Sequence, residues 1–151
     1  MKKLLFVCTG NSHRSILAES VVNKYHKDKF AGYSAGSKPS GIINKYVIKY
    51  LNENNFDTKN LSSKNFNKFL DEKTIFDQVF TVCNNASDEV CPVWPSPEKI
   101  VNWDIEDLVY VIYDLENSDK PNKEELISIE IHKTYSNLET RINDWIKNYE
   151  K

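Results

Sequence analysis

The fold of this chain is indicated by residues 4–15, which read LLFVCTGNSHRS. The first four form a short, continuous apolar run, which is typical of a strand buried on both faces of a parallel sheet. A polar loop with one glycine follows, and from Ser15 apolar residues recur at helical spacing, at Ile16, Leu17, Val21, Val22 and Tyr25. The stretch therefore predicts a strand, a tight loop and a helix in direct succession.

The rest of the chain continues this alternation of strands and helices. Further strands are predicted at residues 32–35, 77–82 and 99–102, and a helix after the first of them carries Ile43, Val47, Ile48 and Leu51. A final helix is marked by apolar residues at spacings of 3, 4, 3 and 4, namely Tyr135, Leu138, Ile142, Trp145 and Tyr149. The pattern predicts an α/β fold with a mostly parallel sheet and right-handed crossovers.

Length and composition exclude several classes of protein. The 151 residues are expected to form a single domain, 1–151, and its size suits a monomer. A net charge of -2 without a dense basic stripe argues against nucleic acid as a partner. No apolar run approaches the roughly 18 residues of a membrane span, so no membrane is expected. Three cysteines without an export signal predict reduced thiols and a cytoplasmic location.

The loop after the first strand has the residue types of an oxyanion site. Five residues separate Cys8 from Arg14, and wrapping them tightly points successive backbone N–H groups inward, where the helix N-terminus reinforces them. The Arg14 guanidinium is able to bind two oxygens of a tetrahedral anion at once. Gly10 is expected to supply the backbone freedom that the loop needs. The predicted oxyanion-binding residues are Thr9, Gly10, Asn11, Ser12, His13, Arg14 and Ser15.

The same loop predicts a nucleophile. Its positive field favours the thiolate of Cys8, which is the reactive form of a cysteine. The simplest alternative makes Cys8 a small buried residue and Arg14 a surface charge, but the strand, the glycine, Ser15 and the helix all favour the reactive interpretation. A zinc site of Cys8, His13, Cys83 and Cys91 is disfavoured, since no C-x2-C pair exists and an arginine would lie beside the cation. We therefore expect no metal.

These residues carry a resemblance to a known superfamily. The stretch VCTGNSHRS (residues 7–15), followed by Ala18-Glu19 and by YSAG (residues 33–36), resembles the low-molecular-weight tyrosine phosphatases, and most of all their thioredoxin-coupled arsenate reductases. The resemblance extends over nearly the whole chain. It implies a three-layer fold in which helices flank a four-stranded, mostly parallel sheet.

The two further cysteines favour the reductases within this superfamily. Hydrolysis of a phosphate ester has no chemical task for additional thiols, whereas reduction of arsenate needs two electrons. The resemblance implies that Cys8 binds arsenic, that Cys83 attacks Cys8 to release arsenite, and that Cys91 resolves the product as a Cys83–Cys91 disulfide. It also implies thioredoxin as the external reductant and no tightly bound cofactor.

A general acid is expected in the loop that follows the fourth strand. The loop resembles the one in the reductases in which an Asp four residues after a Trp protonates the departing oxygen, which assigns this role to Asp107 after Trp103. Asp104 and Glu106 are neighbouring candidates. Leu108 stands where the superfamily usually has Pro, so the shape of this loop is expected to differ.

Two alternatives to the reductase remain open. A phosphatase would hydrolyse phosphotyrosine through a phosphocysteine at Cys8, and an anion-binding or regulatory domain would not turn over at all.

Some of the reductases bind potassium through an Asn, a Glu, a Ser and an Asp. Here Asn11, Glu19 and Ser34 match the first three, but Lys64 falls where the Asp would be, which predicts no stimulation by potassium.

Overall fold

The computed structural model of the chain describes residues 1–83 and 100–151. The elements in these two ranges alternate between strand and helix along most of the chain. In order they are β1 (Lys2–Cys8), α1 (Arg14–Tyr25), β2 (Phe30–Gly36), α2 (Lys45–Glu53), α3 (Asn67–Asp71), β3 (Gln78–Thr81), β4 (Ile100–Asn102), α4 (Leu108–Glu116) and α5 (Lys123–Tyr149).

The four strands form one parallel sheet in the order β2-β1-β3-β4. In its register Cys8 pairs with Gly36 of β2, and Val7 pairs with Thr81 of β3. The carboxyl ends of β1, β2 and β3 therefore meet at one edge of the sheet. Ligands of open parallel sheets bind beyond this edge, where the loops that follow the strands come together.

The core explains why β1 reads as an uninterrupted apolar run. Leu4 and Phe6 contribute to a large cluster on one face, together with α1, α2, α4 and α5, and Leu5 and Val7 belong to a smaller cluster on the other face with Phe69 of α3. Helices thus cover both faces of the sheet, so its central strand needs apolar side chains in both directions. The predicted fold class is confirmed.

Two short helices were not predicted, whereas the long C-terminal helix was. Helix α3 has five residues and α4 has nine, and neither carries a long amphipathic pattern. Helix α5 begins at Lys123, and its buried stripe includes Ile127 and Ile131 ahead of the residues that mark the helix in the sequence. Within the two described ranges, none of the helices is both long enough and apolar enough to cross a membrane.

Candidate active site

The loop between β1 and α1 is held from outside by the segment that follows β2. Backbone N–H groups of residues 37–44 bond at N···O distances of 3.0–3.3 Å to the carbonyl oxygens of Cys8, Thr9, Gly10 and Ser12. Because these carbonyls face the outer segment, the N–H groups of the loop are left for its concave side. The N–H of Asn11 bonds there to the sulfur of Cys8, at 3.3 Å.

The backbone conformation that closes the loop occurs at Asn11 and not at Gly10. Asn11 has a φ of 48°, in the left-handed region that asparagine tolerates better than most residues, whereas the structure gives Gly10 no such φ. A Cβ at Gly10 would lie 3.6 Å from Ser12 Oγ, which is an ordinary contact. The expectation that Gly10 supplies backbone freedom was therefore wrong.

The glycine that the loop requires is Gly36, at the end of β2. A Cβ at this position would lie 2.5 Å from the carbonyl oxygen of Thr9, closer than any real contact allows. The sequence contains this signal in the YSAG stretch, but only the register between β1 and β2 reveals what the glycine approaches.

Two residues, Asn11 and Ser15, surround the sulfur of Cys8. Asn11 Nδ2 donates to Ser15 Oγ at 2.7 Å, and Ser15 Oγ lies 2.9 Å from Cys8 Sγ. Since an amide N–H only donates, the Ser15 hydroxyl accepts from Asn11 and keeps its own hydrogen for the sulfur. Together with the Asn11 backbone N–H, this gives Cys8 two donors suited to a thiolate.

Arg14 and Asp107 face each other across the site. The guanidinium is almost fully buried at the start of α1; it donates from Nη1 to the carbonyl of Ile105 at 3.1 Å, and its Nη2 lies 3.6 Å from Asp107 Oδ2. Asp107 caps α4, because its Oδ1 accepts from the N–H of Val109 at 3.0 Å. The helix cap fixes one carboxylate oxygen and leaves the other directed at the arginine.

A cavity of about 150 Å³ lies at the centre of this arrangement. It is lined by Cys8, Thr9, Gly10, Ser12, His13, Arg14, Asp107 and Val109. The predicted nucleophile, arginine and acid thus meet at one cavity. Asp104 and Glu106 do not line it, which favours Asp107 among the three acids. Two residues predicted to bind the oxyanion, Asn11 and Ser15, lie behind the sulfur instead.

Cys83 lies beside this site, and Cys91 falls outside the described residues. Cys83 is buried two residues beyond the end of β3, at the same edge of the sheet as Cys8. Its carbonyl accepts from the N–H of Ile105 at 3.2 Å, while the carbonyl of Ile105 accepts from Arg14. Ile105 therefore connects Cys83 to Arg14 through its main-chain N–H and carbonyl. Its apolar residue type does not indicate this role in the sequence.

The sequence pattern of the family described as "Low molecular weight phosphotyrosine protein phosphatase" matches residues 3–151. The chain belongs to this family. An arsenate reductase of Halalkalibacterium halodurans is 38% identical over 106 residues, which are 70% of this chain and 73% of the relative. The predicted resemblance is thereby confirmed.

Solved structures share the fold. An arsenate reductase in a phosphate-binding state is 24% identical, with a TM-score of 0.69 and 98% of each chain covered. A thioredoxin-dependent arsenate reductase of Corynebacterium glutamicum is 22% identical, with a TM-score of 0.56, and the match covers 93% of this chain and 63% of that one. Phosphatases of the family are also among the similar structures.

His13 is a feature of this family member that the sequence did not explain. Its ring is buried at the cavity, Nδ1 lies 2.7 Å from Ser12 Oγ, and the structure gives Nε2 no hydrogen-bond partner within the described residues. Burial lowers its pKa to about 4, although the charge of Asp107 opposes the shift and that of Arg14 adds to it. The imidazole is therefore neutral at physiological pH.

A second polar network lies behind the loop. Ser34 donates to the buried carboxylate of Glu19 at 2.5 Å, and the backbone N–H of Lys64 donates to Asn11 Oδ1 at 2.9 Å. Burial raises the pKa of Glu19, against the opposing charge of Lys64 and the bond from Ser34, and burial also lowers the pKa of Lys64. Glu19, Ser34 and Lys64, which we call the rear network, share a cavity of about 420 Å³.

The structure offers no cluster of three His, Cys, Asp or Glu side chains able to hold a metal ion, as far as residues 1–83 and 100–151 are concerned. Cys8, His13 and Cys83, three members of the disfavoured zinc site, lie in these ranges and do not form one. The fourth member, Cys91, lies outside them.

Proposed function

We propose that this protein reduces arsenate to arsenite through a relay of Cys8, Cys83 and Cys91, with thioredoxin as the external reductant. The observation that carries the proposal is the burial of Cys83 beside the Cys8 site, at the ends of neighbouring strands. A phosphatase has no chemical use for a second cysteine there. The names of its relatives support the same reaction.

The relay begins at the cavity. The Cys8 thiolate attacks arsenic, so that a sulfur–arsenic bond forms and one arsenic–oxygen bond breaks. Arg14 and the loop N–H groups bind the remaining oxygens, and they stabilise negative charge that develops on them. Asp107, whose Oδ2 faces Arg14 across the cavity, donates the proton with which the departing oxygen leaves as water.

Reduction takes place in the second step. A Cys83 thiolate attacks the sulfur of Cys8, a disulfide forms, and the electron pair of the sulfur–arsenic bond passes to arsenic, which leaves as arsenite. Cys91 then attacks Cys83 and releases Cys8 as a thiolate. The donors from Ser15 and Asn11 stabilise the charge on that sulfur and therefore make Cys8 a good leaving group.

The cycle ends with a Cys83–Cys91 disulfide, which a thioredoxin dithiol reduces. Two electrons from this dithiol thus account for the conversion of one arsenate to one arsenite. The thioredoxin-dependent protein of Corynebacterium glutamicum shares this fold, which supports this choice of reductant.

The test is a single turnover without reductant, followed by peptide mapping of disulfides. We expect a peptide in which Cys83 is joined to Cys91, in an amount equal to the arsenite released. Unmodified thiols at both positions, with arsenite formed, would contradict the relay.

Replacement of Cys83 by Ser separates the reductase from its alternative. Cys83→Ser should abolish arsenate reduction but leave hydrolysis of a small aryl phosphate, because Cys8, Arg14 and Asp107 are retained. Loss of both activities would instead indicate that Cys83 is needed for folding, which a thermal unfolding curve of the variant checks.

The second candidate function is hydrolysis of phosphotyrosine. It is favoured by the family itself and by the meeting of Cys8, Arg14 and Asp107 at one cavity, since these three groups suffice to form and hydrolyse a phosphocysteine. A chain that hydrolyses aryl phosphates rapidly and produces no arsenite with thioredoxin present would be a phosphatase.

A further inference from the structure

His13 presents two possible hydrogen arrangements to the cavity. At neutral pH its ring carries a single N–H hydrogen, and the 2.7 Å contact with Ser12 Oγ exists whichever nitrogen holds it. With the hydrogen on Nε2, the Ser12 hydroxyl must donate to Nδ1. With the hydrogen on Nδ1, the ring donates to Ser12 Oγ, and the hydroxyl hydrogen of Ser12 is available elsewhere.

The buried Nε2 atom decides between the two arrangements. Within the described residues this atom has no hydrogen-bond partner. If it carried a hydrogen, the ring would bury a donor without a partner, and buried donors without a partner are rarer in folded proteins than under-satisfied acceptors. The charges of Arg14 and Asp107 act on the pKa of the ring in opposite directions, so the ring stays neutral and carries one hydrogen. The ring hydrogen therefore belongs on Nδ1.

We propose that His13 is a positioning residue, which donates from Nδ1 to Ser12 Oγ and thereby directs the Ser12 hydroxyl hydrogen at the bound oxyanion. Ser12 lines the same cavity as Cys8 and Arg14, so its hydroxyl is placed to add a side-chain donor to those of the backbone. The histidine itself does not touch the anion in this arrangement. The proposal rests on oxyanion binding at this loop, which is part of the proposed function.

The first test is spectroscopic and needs no mutation of the site. Nitrogen-15 chemical shifts and long-range proton–nitrogen couplings distinguish the two neutral tautomers of a histidine. The chain has three histidines, and loss of one signal in His13→Asn assigns the ring. We expect the wild-type protein at pH 7 to show His13 as the Nδ1–H tautomer. The Nε2–H tautomer would overturn the proposal.

The second test uses variants that place an amide at either ring nitrogen. Asn carries its amide group at the distance of Nδ1 from the main chain, and Gln carries it at the distance of Nε2. We therefore expect His13→Asn to bind inorganic phosphate nearly as well as the wild type. His13→Gln and His13→Phe should each bind it about tenfold more weakly, which corresponds to about 1.4 kcal/mol. Isothermal titration calorimetry measures these affinities.

A double-mutant cycle identifies Ser12 as the intermediary. Ser12→Ala should weaken phosphate binding by the same factor as His13→Phe, and the double variant should lose no more than either single one. Additive losses of affinity would mean that the two residues act separately. If His13→Asn bound phosphate as weakly as His13→Phe, Nδ1 would have no special role. Either result would overturn the proposal.

Controls separate this proposal from simpler effects. His26→Phe changes a histidine that bonds to Asn143 on the surface, so it should leave phosphate affinity unchanged. Urea unfolding of each variant shows whether the fold is intact. If the wild-type protein binds neither phosphate nor arsenate, the proposed function fails and the role of Ser12 toward an anion fails with it. If it binds them while His13 is the Nε2–H tautomer, the present proposal alone fails.

Discussion

On one side of the loop, which we call the cavity side, the N–H of Asn11 and the hydroxyl of Ser15 act as uncharged donors to the Cys8 sulfur. The Arg14 guanidinium completes this side at the cavity. The rear network instead contains a buried carboxylate and a half-buried ammonium. Hydrogen bonds of the first kind depend on angle and distance, and charges act over longer range. The cavity side should therefore be sensitive to shape even where charge is kept, and the rear network should respond to pH and to charge.

The largest expected effect comes from a change that keeps the charge of the cavity side and alters its shape. Arg14→Lys retains a cation but loses the planar fork that binds two oxygens, so turnover should fall by about 100-fold or more. Aryl phosphate hydrolysis and arsenite release measure this loss. A fall of only a few fold would mean that charge alone is sufficient there.

Asn11 connects the two sides, since its Nδ2 donates to Ser15 and its Oδ1 accepts from Lys64. Asn11→Ala should lower the free energy of unfolding by about 2–3 kcal/mol, because two hydrogen bonds are lost and alanine strains a positive φ. Urea unfolding measures the change. Asn11→Gly is the matched control, and it should recover about 1 kcal/mol by removing the strain alone.

The rear network should affect how the free energy of unfolding depends on pH. The pKa of Glu19 is raised in the folded state, so in the window above its ordinary value of 4.5 the folded protein holds more protons than the unfolded one, and stability falls as pH rises. One such group contributes a slope of at most about 1.4 kcal/mol per pH unit. Glu19→Gln should lack this contribution.

The difference in unfolding free energy between wild type and Glu19→Gln, followed from pH 4.5 to pH 7, isolates this carboxylate from the others. We expect the wild type to lose stability relative to the variant as pH rises. A constant difference would mean that Lys64 and Ser34 fully offset the burial of the charge.

The smallest expected effect is that of potassium. The ammonium of Lys64 lines the same cavity as Glu19 and already supplies a cation, so replacing sodium by potassium should leave the rate unchanged. Lys64→Met removes that cation and serves as the comparison. A clear rise of wild-type activity with potassium would contradict this assignment of Lys64.

The sequence was most informative where one element had one strong pattern. The run at residues 4–7, the helix after Arg14 and the stripe of α5 are each predicted because burial on a defined face dictates their residue types. Helix α4 was missed for the opposite reason. Its apolar, partly β-branched residues do not favour a helix, but the cap from Asp107 and packing against α5 produce one.

The candidate site was predictable in its charged and nucleophilic residues and not in its backbone. Cys8, Arg14 and Asp107 have reactive side chains at recognisable spacings, and the structure brings them to one cavity. The contributions of Ile105 and Gly36 depend on main-chain atoms and on close approach, which residue type alone does not specify. The positive φ of Asn11 likewise becomes evident only when the loop is closed.

The approach of Gly36 to Thr9 also sets the dimensions of the anion loop. Because Gly36 has no side chain, the main chain of the loop lies closer to the end of β2 than a residue with a Cβ would permit. Gly36 also donates its N–H to the carbonyl of Lys64 and accepts at its own carbonyl from the N–H of Phe66, so its position is fixed. The width that the loop leaves for a tetrahedral anion therefore depends on the absence of a side chain at the end of the neighbouring strand.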